Sequence, residues 1–469
     1  GVVGLPATYP PEPLNGVLIS GFDAPVTTGI DRTFVYPPRV YDEIRRAVGP
    51  YELTNFQELR IGPGWHEMAL EKLLHAAGRR TRVAAYLLDR ELWDCFFVHF
   101  GESDTVAHHF WAFCDPDSPR YEGARAADLG HAIRTIYQVL DRSVGELLAC
   151  AGGQASLDKV TVMVVSDHGS GGTGERVVHL NRWLEQQGWL RFAPPRPAHR
   201  AAAGLKRLGL ALPTRLQEWV FRGPLSDLAG YLESSARLGG IDWAATRAFS
   251  EETNTFPGIW LNVRGREPQG TVMPGAGYEH LRDRILTWLA DWCDPGSGRP
   301  VVAHAWRREE LYHGPAVGDA PDIVLEPALD TFASPGTARG YAYTFLSSRG
   351  RSGEPIRPLG PSERLGAKGG SMNGSHRPDG VVILAGAGVR PGGHPVGAEI
   401  VDVAPTLLHL LDVPVPAHVD GRVLAEALAF AGPVRTGVPG VEVAPAPSPY
   451  TTGQAAMVSA RLRGLGYLP

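Results

Sequence analysis

Short apolar, β-branched runs alternate along this chain with segments whose apolar residues recur every three to four positions. Residues 92–100, 159–165 and 381–384 are near-continuous apolar runs, the pattern of strands buried on both faces of a parallel sheet. Between the first two, Ile133, Ile136, Val139, Leu140, Val144, Leu147 and Leu148 fall at helical spacing and predict a crossover helix over 130–151. The expected fold class is α/β: a doubly wound, mainly parallel sheet covered by helices, with an inserted cap. A right-handed strand, helix, strand unit brings the residues just after each strand to one edge of the sheet, where open α/β folds bind ligands. Asp104 and Asp167 both occupy such positions.

The pattern changes character from about residue 194 to 240, where Pro/Arg/Ala-rich sequence leads into basic amphipathic stretches, as expected of an insertion. A strand at 259–263, a helix at 278–293 and a strand at 321–325 then return the chain towards the sheet. The expected organisation is a first core part at 1–193, a cap or substrate region at 194–330, a second core part at 331–432, and a linker with a terminal helix at 433–469. Residues 349–370, rich in Gly, Pro, Ser and Arg, predict a mobile loop near His376, and the Gly-rich run 169–174 predicts a flexible one. That run lacks the Gly-Lys-Ser/Thr ending of a P-loop. The chain opens on Gly1 in what reads as a strand in mid-fold, so further sequence is expected ahead of it.

Composition narrows the function classes. The 469 residues are 43% hydrophobic and 20% charged with a formal net charge of -5, which gives no basic footprint for a nucleic acid polymer. Cys95, Cys114, Cys150 and Cys293 show no CxxC spacing and are expected as reduced, mostly buried thiols. No apolar run approaches the ~20 residues of a membrane helix and no leader opens the chain, so neither membrane association nor export is expected and a cytoplasmic protein is.

Three motifs carry chemistry. Asp104 and His108 follow the first strand at i, i+4, a spacing that shares one helical face; taken alone, it equally suits an Asp that caps the helix and a His that packs locally. Asp167-His168-Gly169 is more specific, because an Asp at the end of a continuous apolar strand is costly to desolvate unless a cation or a hydrogen-bond network meets it. His376 lies in Gly374-Ser375-His376-Arg377, just before the third strand. Carboxylate and imidazole groups in combination suit zinc or manganese better than calcium or magnesium, which take mainly oxygen ligands. Asp402 in Asp402-Val-Ala-Pro-Thr406 reads as a helix start and a structural cap.

With these stretches the chain resembles the alkaline phosphatase superfamily, in particular its type I phosphodiesterase/nucleotide pyrophosphatase branch. The resemblance also rests on residues 7–16 with Ile19-Ser-Gly-Phe-Asp23, on Leu180-Asn-Arg-Trp-Leu184, on 400–408 and on 461–467. It implies that Asp104, His108 and His376 hold one divalent metal and that Asp167 and His168 belong to a second, with zinc the expected ion and manganese the alternative. It further implies a small phosphate ester as substrate and a Thr or Ser nucleophile ahead of the stretch 1–16, for which Thr8, Asp23, Thr27 and Thr28 lack the expected setting. Arg377 is a candidate for a phosphoryl oxygen, with a structural role as the alternative. A sulfatase or phosphomutase is the neighbouring enzyme reading, but Cys114-Asp-Pro-Asp-Ser-Pro-Arg120 has the wrong spacing for the sulfatase C-x-P-x-R motif. A truncated or degenerate member acting as a non-catalytic metal-binding module is the reading outside enzymes. Oligomeric state stays open.

Overall fold

The computed structural model of the chain describes residues 1–21, 30–52, 56, 61–152, 157–193, 240–251, 257–332, 340–347, 350, 353–364, 372–430 and 432–437. Its first sheet is built from β1 (Val2–Leu5), β2 (Leu18–Ser20), β3 (Val35–Tyr36) and β4 (Phe97–Val98), in the order β3-β2-β1-β4. β1 pairs with β2 and β4 in parallel, and β3 closes one side antiparallel to β2. Val3 and Ile19 on these strands are fully buried and pack with Phe34, Val40, Ile44, Val83 and Leu87. Helices α1 (Arg39–Ala47), α2 (Trp65–Arg90), α3 (Glu102–Cys114), α4 (Gly123–Leu129) and α5 (Ala132–Cys150) follow the chain around this sheet. A second apolar cluster, including Leu73, Val106, Phe110, Phe113, Leu129 and Ile136, joins α2, α3 and α5. A helix is therefore present where the crossover was expected, and its periodic Ile136 is one of the residues it buries, but among the described residues β4 and β5, the strands it connects, lie in separate sheets.

The expected strand at 92–100 shrinks to the two residues of β4. Residues 92–95 come off α2 as a turn that leaves Leu92 fully exposed, and only Phe97 and Val98 reach pairing partners on the short β1. β5 (Thr161–Val165) departs further from expectation, since its described partner is the antiparallel β15 defined below, not a parallel neighbour. Val164 and Ile383, directly paired across these strands, are 37% and 58% exposed, so this pair is not buried on both faces as its apolar run suggested.

The run expected as a flexible loop is instead the start of β6 (Gly169–His179), the longest strand among the described residues. Its glycines permit close approach. A Cβ on Gly172 would lie 2.6 Å from the Tyr341 ring and 2.7 Å from Trp111 Nε1, and one on Gly171 would lie 2.5 Å from Arg377 Nε. After α6 (Leu180–Gln186) the chain enters residues 194–239, the heart of the expected cap, which lie outside the described residues.

From 240 onward β7 (Ala248–Phe249), β8 (Gly258–Leu261), α7 (Ala276–Ala290), β9 (Val302–Arg307) and β10 (Ile323–Pro327) form an antiparallel sheet of order β7-β8-β10-β9 beside a helix. The predicted strand 259–263, helix 278–293 and strand 321–325 correspond to β8, α7 and β10. One apolar cluster runs through α6, this sheet, α7 and Tyr343 and Phe345, so the two regions share a core.

β11 (Leu329–Phe332) and β12 (Gly340–Leu346) bring the chain back, β12 lying parallel to β6. Within the expected mobile loop, β13 (Ile356–Pro358) pairs antiparallel with β6, and Arg357 and Glu363 hold each other through two hydrogen bonds of 2.7 Å. β14 (Gly374–Arg377) lies antiparallel to the glycine-rich start of β6, β15 (Val382–Gly386) beside β5, and α8 (Val403–Leu410) follows. Asp402 is buried ahead of α8 but does not cap that helix with its side chain as expected; its oxygens accept instead from the backbone N–H groups of Glu399 and Arg422, which tie down the approach to the helix. The terminal helix expected at 452–468 lies outside the described residues. All four cysteines are free; Cys95 and Cys293 are exposed, contrary to the buried thiols expected, because each sits where an element turns into a loop. No helix among the described residues is long and apolar enough to cross a membrane.

Candidate functional site

Asp104 stands in the first turn of α3, where a carboxylate complements the positive end of the helix dipole, and His108 lies one turn on. His376 arrives from β14. It can do so because Gly374 lets that strand run against α3: a Cβ there would lie 2.2 Å from the Ala107 carbonyl oxygen. The Asn373 N–H also donates to the His108 carbonyl at 2.8 Å. His168 enters from the turn between β5 and β6, its ring stacked on that of His376 with centroids 3.6 Å apart.

The result is a convergence of nitrogen and oxygen ligand atoms. Asp104 Oδ1 is 3.2 Å from His108 Nε2, 3.1 Å from His376 Nε2 and 4.0 Å from His168 Nε2. His108 Nε2 and His376 Nε2 are 3.0 Å apart. Asp104, His108 and His376 each turn a ligand atom to one spot, all within 4.8 Å of one another. Asp167 points outward at 73% exposure, with Oδ2 3.5 Å from His168 Nε2.

Tautomers follow from the carbonyls around the rings. His108 Nδ1–H donates to the Gly374 carbonyl at 2.7 Å, and His168 Nδ1–H to the Gly169 carbonyl at 2.9 Å. A carbonyl only accepts, so in each neutral ring the Nε2 lone pair is turned to the centre. Asp104 Oδ1 is itself buried, with no donor aimed at it in hydrogen-bonding geometry among the described residues. Burial alone would raise the Asp104 carboxyl, but its contacts with His108 and His376 outweigh this and hold it far below the usual carboxylate range. Burial likewise disfavours the His108 imidazolium, yet the adjacent Asp104 carboxylate leaves it raised.

A buried carboxylate oxygen faced by imidazole nitrogens is a donor set that fits a divalent cation of the zinc class. Donor atoms about 2 Å from a tetrahedral zinc lie about 3.3 Å apart, close to the separations seen here.

The neighbours are structural. His109 points away from the cluster into the Phe56 and Trp65 rings, where burial pushes its imidazole down to about 3. Arg377, expected as a possible phosphate ligand, turns its guanidinium inward to the carbonyls of Gly172, Gly340 and His376, and burial lowers its pKa. Arg120, from the segment weighed against a sulfatase motif, is buried against the Gly174 and Met372 carbonyls. Thr8 donates to the Leu5 carbonyl, and Asp23, Thr27 and Thr28 lie outside the described residues. Sequence reasoning passed over His99, which is half-buried at the end of β4 and feels the charges of Arg80, Asp167 and Asp104. Its position directly after a core strand was the signal.

The fold gathers its carboxylate and imidazole groups just beyond the carboxyl ends of β4 and β5, where open α/β enzymes bind their ligands. The model of the type I phosphodiesterase / nucleotide pyrophosphatase family matches residues 17–332, about two thirds of the sequence, and the chain belongs to that family. The match includes Asp104, His108, Asp167 and His168 and ends ahead of His376, which the fold brings to Asp104 and His108. No curated protein matches the sequence. Membership places the chain in the alkaline phosphatase superfamily and among hydrolases of phosphodiester-type substrates.

Proposed function

We propose that this protein hydrolyses small phosphate esters of the phosphodiester or nucleotide pyrophosphate kind, with two divalent ions, most simply zinc, held where α3, β14 and the β5–β6 turn meet. Asp104, His108 and His376 hold the first ion, and Asp167 and His168 contribute to the second. The observation that carries this reading is Asp104 Oδ1, buried and faced by imidazole Nε2 atoms at 3.1 and 3.2 Å. When bound, such ions polarise a phosphoryl oxygen and lower the pKa of an attacking hydroxyl, here that of a Thr or Ser.

The chain's own residues prepare the site. The Gly374 and Gly169 carbonyls fix the His108 and His168 tautomers, so both rings present a lone pair without a prior proton shift. The exposure of Asp167 keeps that side of the cluster open to a substrate.

Elemental analysis of the purified protein tests the metal part, and hydrolysis of bis(p-nitrophenyl) phosphate before and after chelation and zinc or manganese return tests the chemistry. Stoichiometric metal with activity that disappears on chelation and returns with metal is the expected result; metal-free protein that retains full activity would overturn the reading. A second reading, one ion held without turnover, is favoured by the fact that only the first three ligands form a closed group among the described residues. Bound metal with no turnover of any phosphate ester would select it.

A further inference from the structure

Beneath the β4–α3 turn lies a buried ion pair that none of the site chemistry uses. Arg80, midway along α2, and Glu102, the first residue of α3, are 5% and 2% exposed. Arg80 Nη1 donates to both Glu102 carboxylate oxygens, at 2.7 and 2.6 Å. Arg80 Nε reaches the Tyr51 hydroxyl at 3.3 Å, and the guanidinium lies over the Phe100 ring, 5.8 Å from its centroid. One side chain of α2 thus grips Phe100 and Glu102 on either side of the turn that leads from β4 to Asp104.

A buried ion pair stabilises little on balance, because desolvation of both charges offsets their attraction. What it supplies is geometry. Residues 102 and 104 lie about 200° apart around a helix, so with Glu102 fastened inward to α2 the side chain of Asp104 is turned to the opposite side, into the cluster. α3 has no side-chain cap at its N-terminus, where Gly101 precedes it, so no hydroxyl or carboxylate at that position sets its first turn. Among the described residues no donor is aimed in hydrogen-bonding geometry at Asp104 Oδ1 to hold that oxygen in place.

We propose that Arg80 and Glu102 are positioning residues for the metal site: their buried contact sets the rotation and height of the first turn of α3 and so aims Asp104 at His108 and His376. The inference rests on the metal-site reading above and is tested apart from it.

Zinc affinity is measured by competition with a chromophoric chelator for wild type, Arg80→Lys and the double variant Arg80→Met/Glu102→Leu, which replaces the pair by apolar groups without leaving an unpaired charge. Ile285→Ala, a core truncation in α7 far along the chain, serves as a control for loss of stability alone. Wild type and Ile285→Ala are expected to bind zinc alike, Arg80→Lys several-fold more weakly, and the double variant more than tenfold more weakly, within the range that supporting residues around metal ligands command. Circular dichroism without metal establishes folding, and Arg80→Lys, which keeps the charge, decides the matter should the double variant not fold. Arg80→Lys and the double variant binding zinc as tightly as wild type would overturn the positioning role, as would an equal loss in Ile285→Ala. Wild type that takes up no zinc would overturn the metal-site reading instead.

Discussion

Gly374 passes α3 so closely that a Cβ on it would stand 2.2 Å from the carbonyl oxygen of Ala107, a separation that real side chains do not reach. The obstruction is backbone, so it cannot be relieved by a rotamer change. Gly374→Ala must push β14 off the helix, and with it the Gly374 carbonyl that receives His108 Nδ1–H and the His376 ring two residues on. The expected outcome is a stability loss of about 1–3 kcal/mol in urea unfolding, together with weaker zinc uptake than in a variant of equal stability loss elsewhere.

His376 and Asp167 should separate in a metal count. His376 is one of three ligand atoms converging on a single spot, whereas Asp167 is largely exposed and borders that spot only through His168. His376→Ala is expected to lose the ion held with Asp104 and His108, and Asp167→Ala to retain it. Elemental analysis after gel filtration reads both, and equal losses in the two variants would contradict the division of ligands.

Arg377 is the test of which cations belong to the fold. Its guanidinium donates to the carbonyls of Gly172, Gly340 and His376, an arrangement that ties β14 to β6 and β12. Arg377→Met should cost about 1–3 kcal/mol through carbonyls left without donors and leave KM for a phosphodiester within twofold of wild type. A large rise in KM with unchanged stability would return Arg377 to the phosphate-binding role suggested by its place in the motif.

Why some of this was legible in the sequence and some not follows from the range of each interaction. α5 and α7 declared themselves through apolar periodicity, which depends only on neighbours in the chain. Asp104 and His108 stood out as candidates because an Asp after an apolar strand and a His at i+4 are local patterns; His376 stood out only through its place in the resemblance. Gly169–Gly174 misled because a run of glycines normally marks freedom; here it marks the absence of room, with Trp111, Tyr341 and Arg377 pressed against the backbone. The antiparallel pairing of β5 with β15 joins residues more than two hundred positions apart and leaves no trace in either segment alone. Arg80 was equally silent: it stands among Arg79 and Arg82 on a long helix, and only the fold shows that it is the buried one paired with Glu102.

His66 gives the stability of the fold a pH dependence of its own. It is buried on α2 among the Trp65, Phe110 and Phe113 rings, and Arg125 Nη1 donates to its Nδ1 at 3.2 Å. Burial, reinforced by the Arg125 charge, pushes its imidazole down to about 4 from an ordinary 6.5. The unfolded chain therefore takes up this proton first as the pH falls. The contribution to stability is complete above pH 6.5 and is lost progressively down to about pH 4. A shift of this size corresponds to about 3 kcal/mol. Urea unfolding of wild type and His66→Leu in the presence of a chelator, at pH 7, 5.5 and 4, should show the wild type losing about 3 kcal/mol more than the variant across that window. Parallel losses in the two proteins would mean that His66 is charged in the folded state, and that the aromatic cage around it admits water.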